Sequence, residues 1–360
     1  MKRILALVIM LCTVVIPCAA EDANDGDCIY TLYSTDGERL TSRGGRMYVD
    51  DEYVAGDNRH FRVVEVDDEA YTAYAEYIGQ AAVSVGGPDM CRDIFAGLNE
   101  AHAEEGKGLI CMYSTHSDES YVEGDGKSSK MEDAGIYDVG GEFKRELEKL
   151  GYTVIYSDET FHPHDAGAYS RSASTAEEYV KKSPEAIFDI HRDGISADEY
   201  ETEVDGEELS MVRLFVGRSN TNRDANMAFA QEIKAAADEK YPGLVKDIYM
   251  GKGNYNQELY PRALLLEFGT HEIDKELVLR STGYVAEVVD TVIGGDTAMA
   301  AETDAEENMG AGKTVIWVIA IAVVAALVYA FAATGRLSGA WDKFKRSISE
   351  LTGGSAGKRK

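Results

Sequence analysis

Basic residues are in short supply in this chain: 36 lysines and arginines face 64 aspartates and glutamates over 360 residues, a formal net charge of −28. A surface of that sign repels phosphates, which argues against nucleic acid as a ligand. It favours a self-repelling body that meets neutral or cationic partners. Cysteine is scarce as well. Of five cysteines, Cys12 and Cys18 fall in an apolar leader, leaving Cys28, Cys91 and Cys111. Such a set closes one disulfide at most, so no disulfide framework holds the fold. No C-x-x-C pair offers a cysteine metal site, no internal repeat is visible, and Cys111, inside the apolar run GLICMY, reads as a core residue.

What is present includes two membrane signals. The opening MKRILALVIMLCTVVIPCAA has Lys2 and Arg3, an apolar run from Ile4 to Ile16, and small residues Cys18 and Ala20 before an acidic stretch. That is the pattern of a cleavable secretory leader. From Thr314 to Gly335 the sequence TVIWVIAIAVVAALVYAFAATG carries no charge and is long enough to span a bilayer. Lys313 and Arg336 bracket it, Trp317 and Tyr329 suit its interfaces, and the tail beyond is rich in Lys and Arg. The positive-inside rule then puts the tail in the cytoplasm and the body outside, on a single-pass cell-membrane anchor.

Between these signals the expected organisation is a leader (1–20), a small β module with a connecting helix (21–105), an α/β domain (106–294), an acidic linker (295–313), a transmembrane helix (314–335) and a basic tail (336–360). In the module, CIYTLYSTDGERL, GGRMYVDDEYVAGDN and HFRVVEVDD read as short strands between turn signals, and Glu69 to Gly79 as a helix. After Gly106 the pattern alternates. GLICMY, YTVIYS, AIFDI, MVRLFVG and ALLLEF read as strands. Helices are expected from Asp138 to Leu150, from Ser174 towards Pro184, from Asn222 to Lys240 and from Lys275 to about Val292. Apolar strands alternating with amphipathic helices argue for a mostly parallel sheet covered by helices on both faces.

In such a sheet functional residues gather beyond the carboxyl ends of the strands. His116 and Glu119 follow GLICMY, His191 with Arg192 and Asp193 follows AIFDI, and Glu267 lies within ALLLEF. Two histidines and a carboxylate form a hydrolytic zinc set with one position left for water. Glu119, in a His-x-x-Glu spacing, or Glu142, at the start of the next helix, supplies the third ligand; placement directly after the strand favours Glu119. Glu267 suits the proton-transfer role, because a carboxylate in an apolar strand is expensive unless paired or functional. His162, His164 and Asp165 in FHPHDAG are a weaker metal-like group. Arg171 and Arg192 are candidates for holding a substrate carboxylate, and the polar segment Asn254, Tyr255, Asn256 and Gln257 for lining a groove.

LICMYSTHSDESY, VGGEFKRELEKLG, AYSRS, FDIHRDG and NYNQELYPRALLLEFGTHE, in that order, resemble the stage II sporulation protein P family (SpoIIP), zinc-dependent cell-wall hydrolases. The resemblance covers about Gly106 to Asp290. It implies an N-acetylmuramoyl-L-alanine amidase that also cleaves peptide cross-links in peptidoglycan. It further implies His116 and His191 as ligands, Glu267 as the catalytic carboxylate, and partnership with the transglycosylase SpoIID. Two departures stand out. Ser114 occupies a position where the family usually has histidine, and the anchor is C-terminal rather than N-terminal. A zinc carboxypeptidase-like peptidase and a non-catalytic wall-binding protein are the other readings compatible with the motifs.

Overall fold

The computed structural model describes residues 28–81, 107–165 and 167–294. The leader, the connection 82–106 and the expected linker, membrane helix and tail lie outside the described residues. No described helix is long and apolar enough to cross a membrane.

Eleven strands form one sheet in the order β2-β1-β5-β4-β3-β12-β11-β13-β8-β6-β7. The first five are β1 (Ile29–Ser34), β2 (Arg39–Gly44), β3 (Glu52–Val54), β4 (Arg59–Asp67) and β5 (Thr72–Gln80). Next come β6 (Leu109–Tyr113), β7 (Thr153–Tyr156) and β8 (Ala186–Asp193). A separate hairpin, β9 (Glu201–Val204) with β10 (Glu207–Ser210), precedes β11 (Val212–Gly217), β12 (Val245–Gly251) and β13 (Ala263–Thr270). The helices that matter for packing are α1 (Gly135–Lys149), α2 (Gly167–Val180) and α3 (Arg223–Lys240), followed by α4 over residues 275–294.

The expected α/β architecture with a large sheet is present, with differences. β13 runs parallel to β8, β8 to β6, and β6 to β7, but β11 is antiparallel to β13. Thr72–Gln80 is a strand, not the helix expected over 69–79. Its Ala and Glu residues favour a helix locally, yet Ala73 and Ala75 alternate inward at period two against β4 and β1. Ser174 lies inside α2, which begins at Gly167, and α1 begins at Gly135, so Asp138 sits in its first turn rather than capping it. The module's strands continue the same sheet, because β3 pairs antiparallel with β12.

Period-two alternation decides what each face buries. On one face, Phe188 and Ile190 of β8 and Leu264 and Leu266 of β13 pack with α1, α3 and α4. α1 supplies Ile136, Val139, Phe143 and Leu147 at helical spacing. On the other face, Cys111 and Ile187 meet Ala176 and Tyr179 of α2. Further along that face Phe215, Tyr249 and Leu265 are covered by Tyr30, Leu32, Phe61 and Val63 of the N-terminal strands. Helices with the β9–β10 hairpin therefore cover one face of the sheet from β12 to β7 and only part of the other; the N-terminal strands complete the second, while their own Tyr74 and Tyr77 stay exposed.

Candidate active site

β8 answers why an apolar strand carries acidic and basic side chains. Ile187, Asp189, His191 and Asp193 alternate onto the α2 face, while Phe188 and Ile190 enter the helical core. The strand runs through His191 to Asp193 rather than stopping before the histidine. In register, His191 pairs with Glu267, Glu267 with Arg213, and Arg213 with Asp247. A single rung across β8, β13, β11 and β12 thus carries an imidazole, two carboxylates and a guanidinium.

Asp189 ties this rung to the loop after β6. Its Oδ1 accepts from the Thr115 amide at 2.8 Å and its Oδ2 from the Thr115 hydroxyl at 2.7 Å. That fixes the neighbouring His116, whose ring centroid lies 4.8 Å from that of His191. Glu119 closes the group: its Oε2 accepts from the Arg192 amide at 2.9 Å, and its Oε1 lies 3.3 Å from His116 Nδ1 and 3.6 Å from His191 Nδ1. One donor atom from each of the three lies within 4.8 Å of the others.

This arrangement fits a metal ion. Tetrahedral donors at zinc–nitrogen and zinc–oxygen bond lengths stand about 3.3 Å apart, close to the spacings around Glu119 Oε1. His191 Nε2 lies 2.9 Å from Asp189 Oδ1, off the line of a hydrogen bond and otherwise without a partner. A carboxylate behind a ligating imidazole is the usual second support of a metal site. The electrostatics agree. Burial alone would lower the His191 pKa, but Asp189 and Glu119 outweigh it and raise it to about 10. Burial pushes His116 down to about 4, with Glu119 offsetting part of it. Glu119 is itself buried, yet His191, His116 and Arg192 hold its carboxyl well below the usual range. The pocket stabilises positive charge, and a neutral His116 has its lone pair free to ligate.

Glu267 stands in a different field. Arg213, fully buried, forks onto Asp247 through Nε at 2.6 Å and Nη2 at 3.0 Å, and donates from Nη1 to Asp193 at 2.8 Å. Glu267 Oε2 lies 3.6 Å from the same Nη1 and accepts from the Tyr200 hydroxyl at 3.1 Å. One guanidinium shared among three carboxylates leaves Glu267 under-compensated. Burial, reinforced by Asp193 and only partly opposed by Arg213, Arg43 and His191, pushes its pKa up to about 7. That value suits a group that takes and returns a proton near neutral pH. Just beyond it the β13–β8 register shifts at Gly269, whose φ is 68° and where a Cβ would stand 2.7 Å from Ser210 Oγ. The bulge turns the chain away from the site and requires glycine.

Residues 55–290 match the profile of the family described as Stage II sporulation protein P (SpoIIP), a span that includes every residue of the rung. The chain belongs to that family. Stage II sporulation protein P of Bacillus subtilis (strain 168) is 31% identical over 201 residues, 51% of this chain and 50% of the relative. The chain thus spans about half the length of the curated relative it matches. Among solved structures, the CwlD amidase of Clostridioides difficile, in complex with the GerS lipoprotein, is 13% identical at a TM-score of 0.35. That likeness covers 53% of this chain and 99% of the other. The N-acetylmuramyl-L-alanine amidase Ami1 of Mycobacterium smegmatis is 14% identical at 0.34, covering 53% of this chain and 97% of its own.

The SpoIIP-family chain brings His116, Glu119, His191 and Glu267 together, with His164 and Arg192 beside them, while most other candidates are engaged by partners of their own. Glu142 is ion-paired with Arg145 on α1 and is not in the cluster. Arg171 donates to the carbonyls of Phe161 and Pro163 and to Asp165. Arg192 donates to the carbonyls of Ser120, Asp193 and Ser128. Asn256 is buried and donates to the Tyr169 carbonyl and Ser172 Oγ. All three are engaged by the protein itself, as positions that brace loops. Ser114 hydrogen-bonds Tyr156 at 2.9 Å and is not in the cluster either. His164 stacks on His116 at 3.8 Å and is held by Asp118, whereas His162 meets the Met131 carbonyl. Sequence reasoning passed over Asp189, Arg213, Tyr200 and Asp247. The signal for Asp189 was its position two residues before His191, on the same strand face.

Proposed function

We propose that this chain is a membrane-anchored, extracytoplasmic peptidoglycan hydrolase that cleaves the amide between N-acetylmuramic acid and L-alanine, with cleavage of peptide cross-links as a second activity. The observation that carries the reading is the convergence of His116 and His191 nitrogens on Glu119 Oε1 beside the rung that holds Glu267. Membership of the SpoIIP family supports it. His116, Glu119 and His191 would hold zinc. When bound, zinc lowers the pKa of water and polarises the scissile carbonyl. Glu267 takes the proton from the attacking water and delivers it to the leaving amide nitrogen, the step on which C–N cleavage depends. Tyr200 and Arg213 hold that carboxylate in place. The uncharged apolar run at 314–335 supports the anchor, and the family supports a SpoIID-like partner.

The test is digestion of purified peptidoglycan by the detergent-solubilised chain, with and without a chelator, read by mass spectrometry. Peptides with a free N-terminal L-alanine should appear only without chelator. His116→Ala should lose stoichiometric zinc and this release together; zinc retained at one equivalent would move the ligand set elsewhere.

The pH dependence follows from Glu267. The base must be ionised, and burial holds its pKa at about 7 before a cation is bound; a bound cation draws it lower. At constant zinc occupancy kcat/KM should therefore rise with pH, on a limb whose midpoint lies at or below about 7. A rate that falls between pH 5 and 7 would remove Glu267 from the role.

A further inference from the structure

The strand β2 reaches the rung from a part of the chain outside the matched residues 55–290. Two of its residues are fixed there. The Ser42 carbonyl accepts from Arg213 Nη2 at 3.0 Å, and the Gly44 amide donates to Asp193 Oδ1 at 2.8 Å. The approach is close enough that a Cβ on Gly44 would stand 3.0 Å from the Gly194 Cα. Between these anchors the half-buried Arg43 lays its guanidinium over Phe215 and Tyr249, at 5.2 and 5.0 Å from the ring centroids.

The aromatic surface under Arg43 leads to the histidines. Phe215 meets Tyr255 at 4.9 Å, Tyr255 meets Tyr169 at 5.2 Å, and Tyr169 meets His116 at 5.4 Å. Arg43 is also close enough to Glu267 to oppose the protonation of that carboxyl. Its Nη1 donates to the Arg46 carbonyl at 2.8 Å and its Nε is buried without a partner. Among the described residues Arg43 makes no ion pair, in contrast to Arg213 with three carboxylates around it. Glu267 and Asp51 act on it electrostatically without pairing with it, and a guanidinium fixed on aromatic faces with no ion-paired carboxylate of its own is suited to bind one from outside.

We propose that Arg43 binds a carboxylate of the peptide released by the reaction, that of the γ-linked D-glutamate following the L-alanine. This rests on the amidase reading for its substrate: the glycan strand is neutral, so the carboxylates of an N-acetylmuramoyl peptide lie on its peptide side. The N-terminal strands then do more than cover the sheet. They contribute specificity for stem peptides whose glutamate is not amidated.

The test compares two uncleavable product peptides, L-Ala-γ-D-Glu-L-Lys and its counterpart amidated at that one carboxylate, binding the zinc-loaded full chain by calorimetry. The wild type should prefer the free acid about tenfold, the scale of one charge-assisted hydrogen-bonded pair. Arg43→Met should bring the two peptides to equal affinity. Arg43→Lys, which keeps the charge but not the fork, should retain a reduced preference with zinc content unchanged. It serves alone if Arg43→Met does not fold, and an undiminished preference there overturns the proposal. So does an undiminished preference in Arg43→Met, equal affinity in the wild type, or binding of neither peptide. If peptidoglycan yields no L-alanine-terminated peptides but the preference and its loss are observed, the amidase reading falls and the carboxylate site stands. Release without preference gives the converse.

Discussion

Glu267→Gln is expected to lower hydrolysis by about 10²- to 10⁴-fold, the usual contribution of a positioned general base, while zinc remains bound. Glutamine keeps the size of the side chain and can still meet the Tyr200 hydroxyl, but it cannot accept a proton from water. The same variant should be more stable than the wild type under one condition. In the metal-free chain the Glu267 pKa is raised from 4.5 to about 7, mainly by burial. A carboxyl with a raised folded-state pKa loses stability as pH climbs, because the folded state binds the proton and the unfolded state has released it. Below pH 4.5 the two variants should match apart from small packing terms. Above pH 7 the ionised wild type should be weaker by about 3 kcal/mol, close to the free-energy equivalent of the shift. Chemical unfolding at pH 4.5 and pH 8 in chelator reads the difference. Full hydrolysis in the variant would end the assignment, and equal stability at pH 8 would mean that Glu267 is better compensated than its surroundings indicate.

Arg213→Met should be the most destabilising single change in the rung, at about 3–5 kcal/mol. Removing one partner of a buried ion network leaves the others charged and unpaired. Here Asp247 would lose both donors of its fork, and Asp193 would lose its guanidinium contact while keeping the Gly44 and Gly194 amides. Methionine restores some of the volume but none of the charge. The expected readout is a lower unfolding midpoint in urea at pH 7.5, or loss of soluble protein. A change below about 1 kcal/mol would mean that water reaches Asp247, against its complete burial.

How much of this was legible in the sequence depends on whether a residue's role is local. His116, Glu119, His191 and Glu267 were legible because each sits at or just beyond a strand whose apolar run announces itself. Arg213 was not, since MVRLFVG reads as a strand whichever way its one charge points, and its three carboxylates come from β8, β12 and β13. Arg171, Arg192 and Asn256 read in the sequence as side chains able to bind a substrate; only the fold reveals that nearby carbonyls already accept from each of them. The fold divides in the same way. β6, β8, β11 and β13 are buried on both faces and appear as apolar runs. β5 reads as a helix in the sequence because its Ala-rich alternation is decided by β1 and β4. β12 was passed over because Lys246 and Asp247 interrupt its pattern, although Asp247 is there to meet Arg213.

The Asp247–Arg213–Glu267–His191 rung also bears on how the protein comes into being. Its members arrive on strands far apart in sequence, and Thr41 Oγ1 and the Ser42 carbonyl of the N-terminal strands take the remaining Arg213 donor. Contacts of such long separation form late and slowly in folding. A nascent chain that has made β8 but not β13 carries His116 and His191 without Glu267 between them and Arg213. The complete rung is therefore a property of the finished topology. On the proposed function, a wall-degrading site strung across the whole fold leaves no active fragment to be released while the chain is still being made.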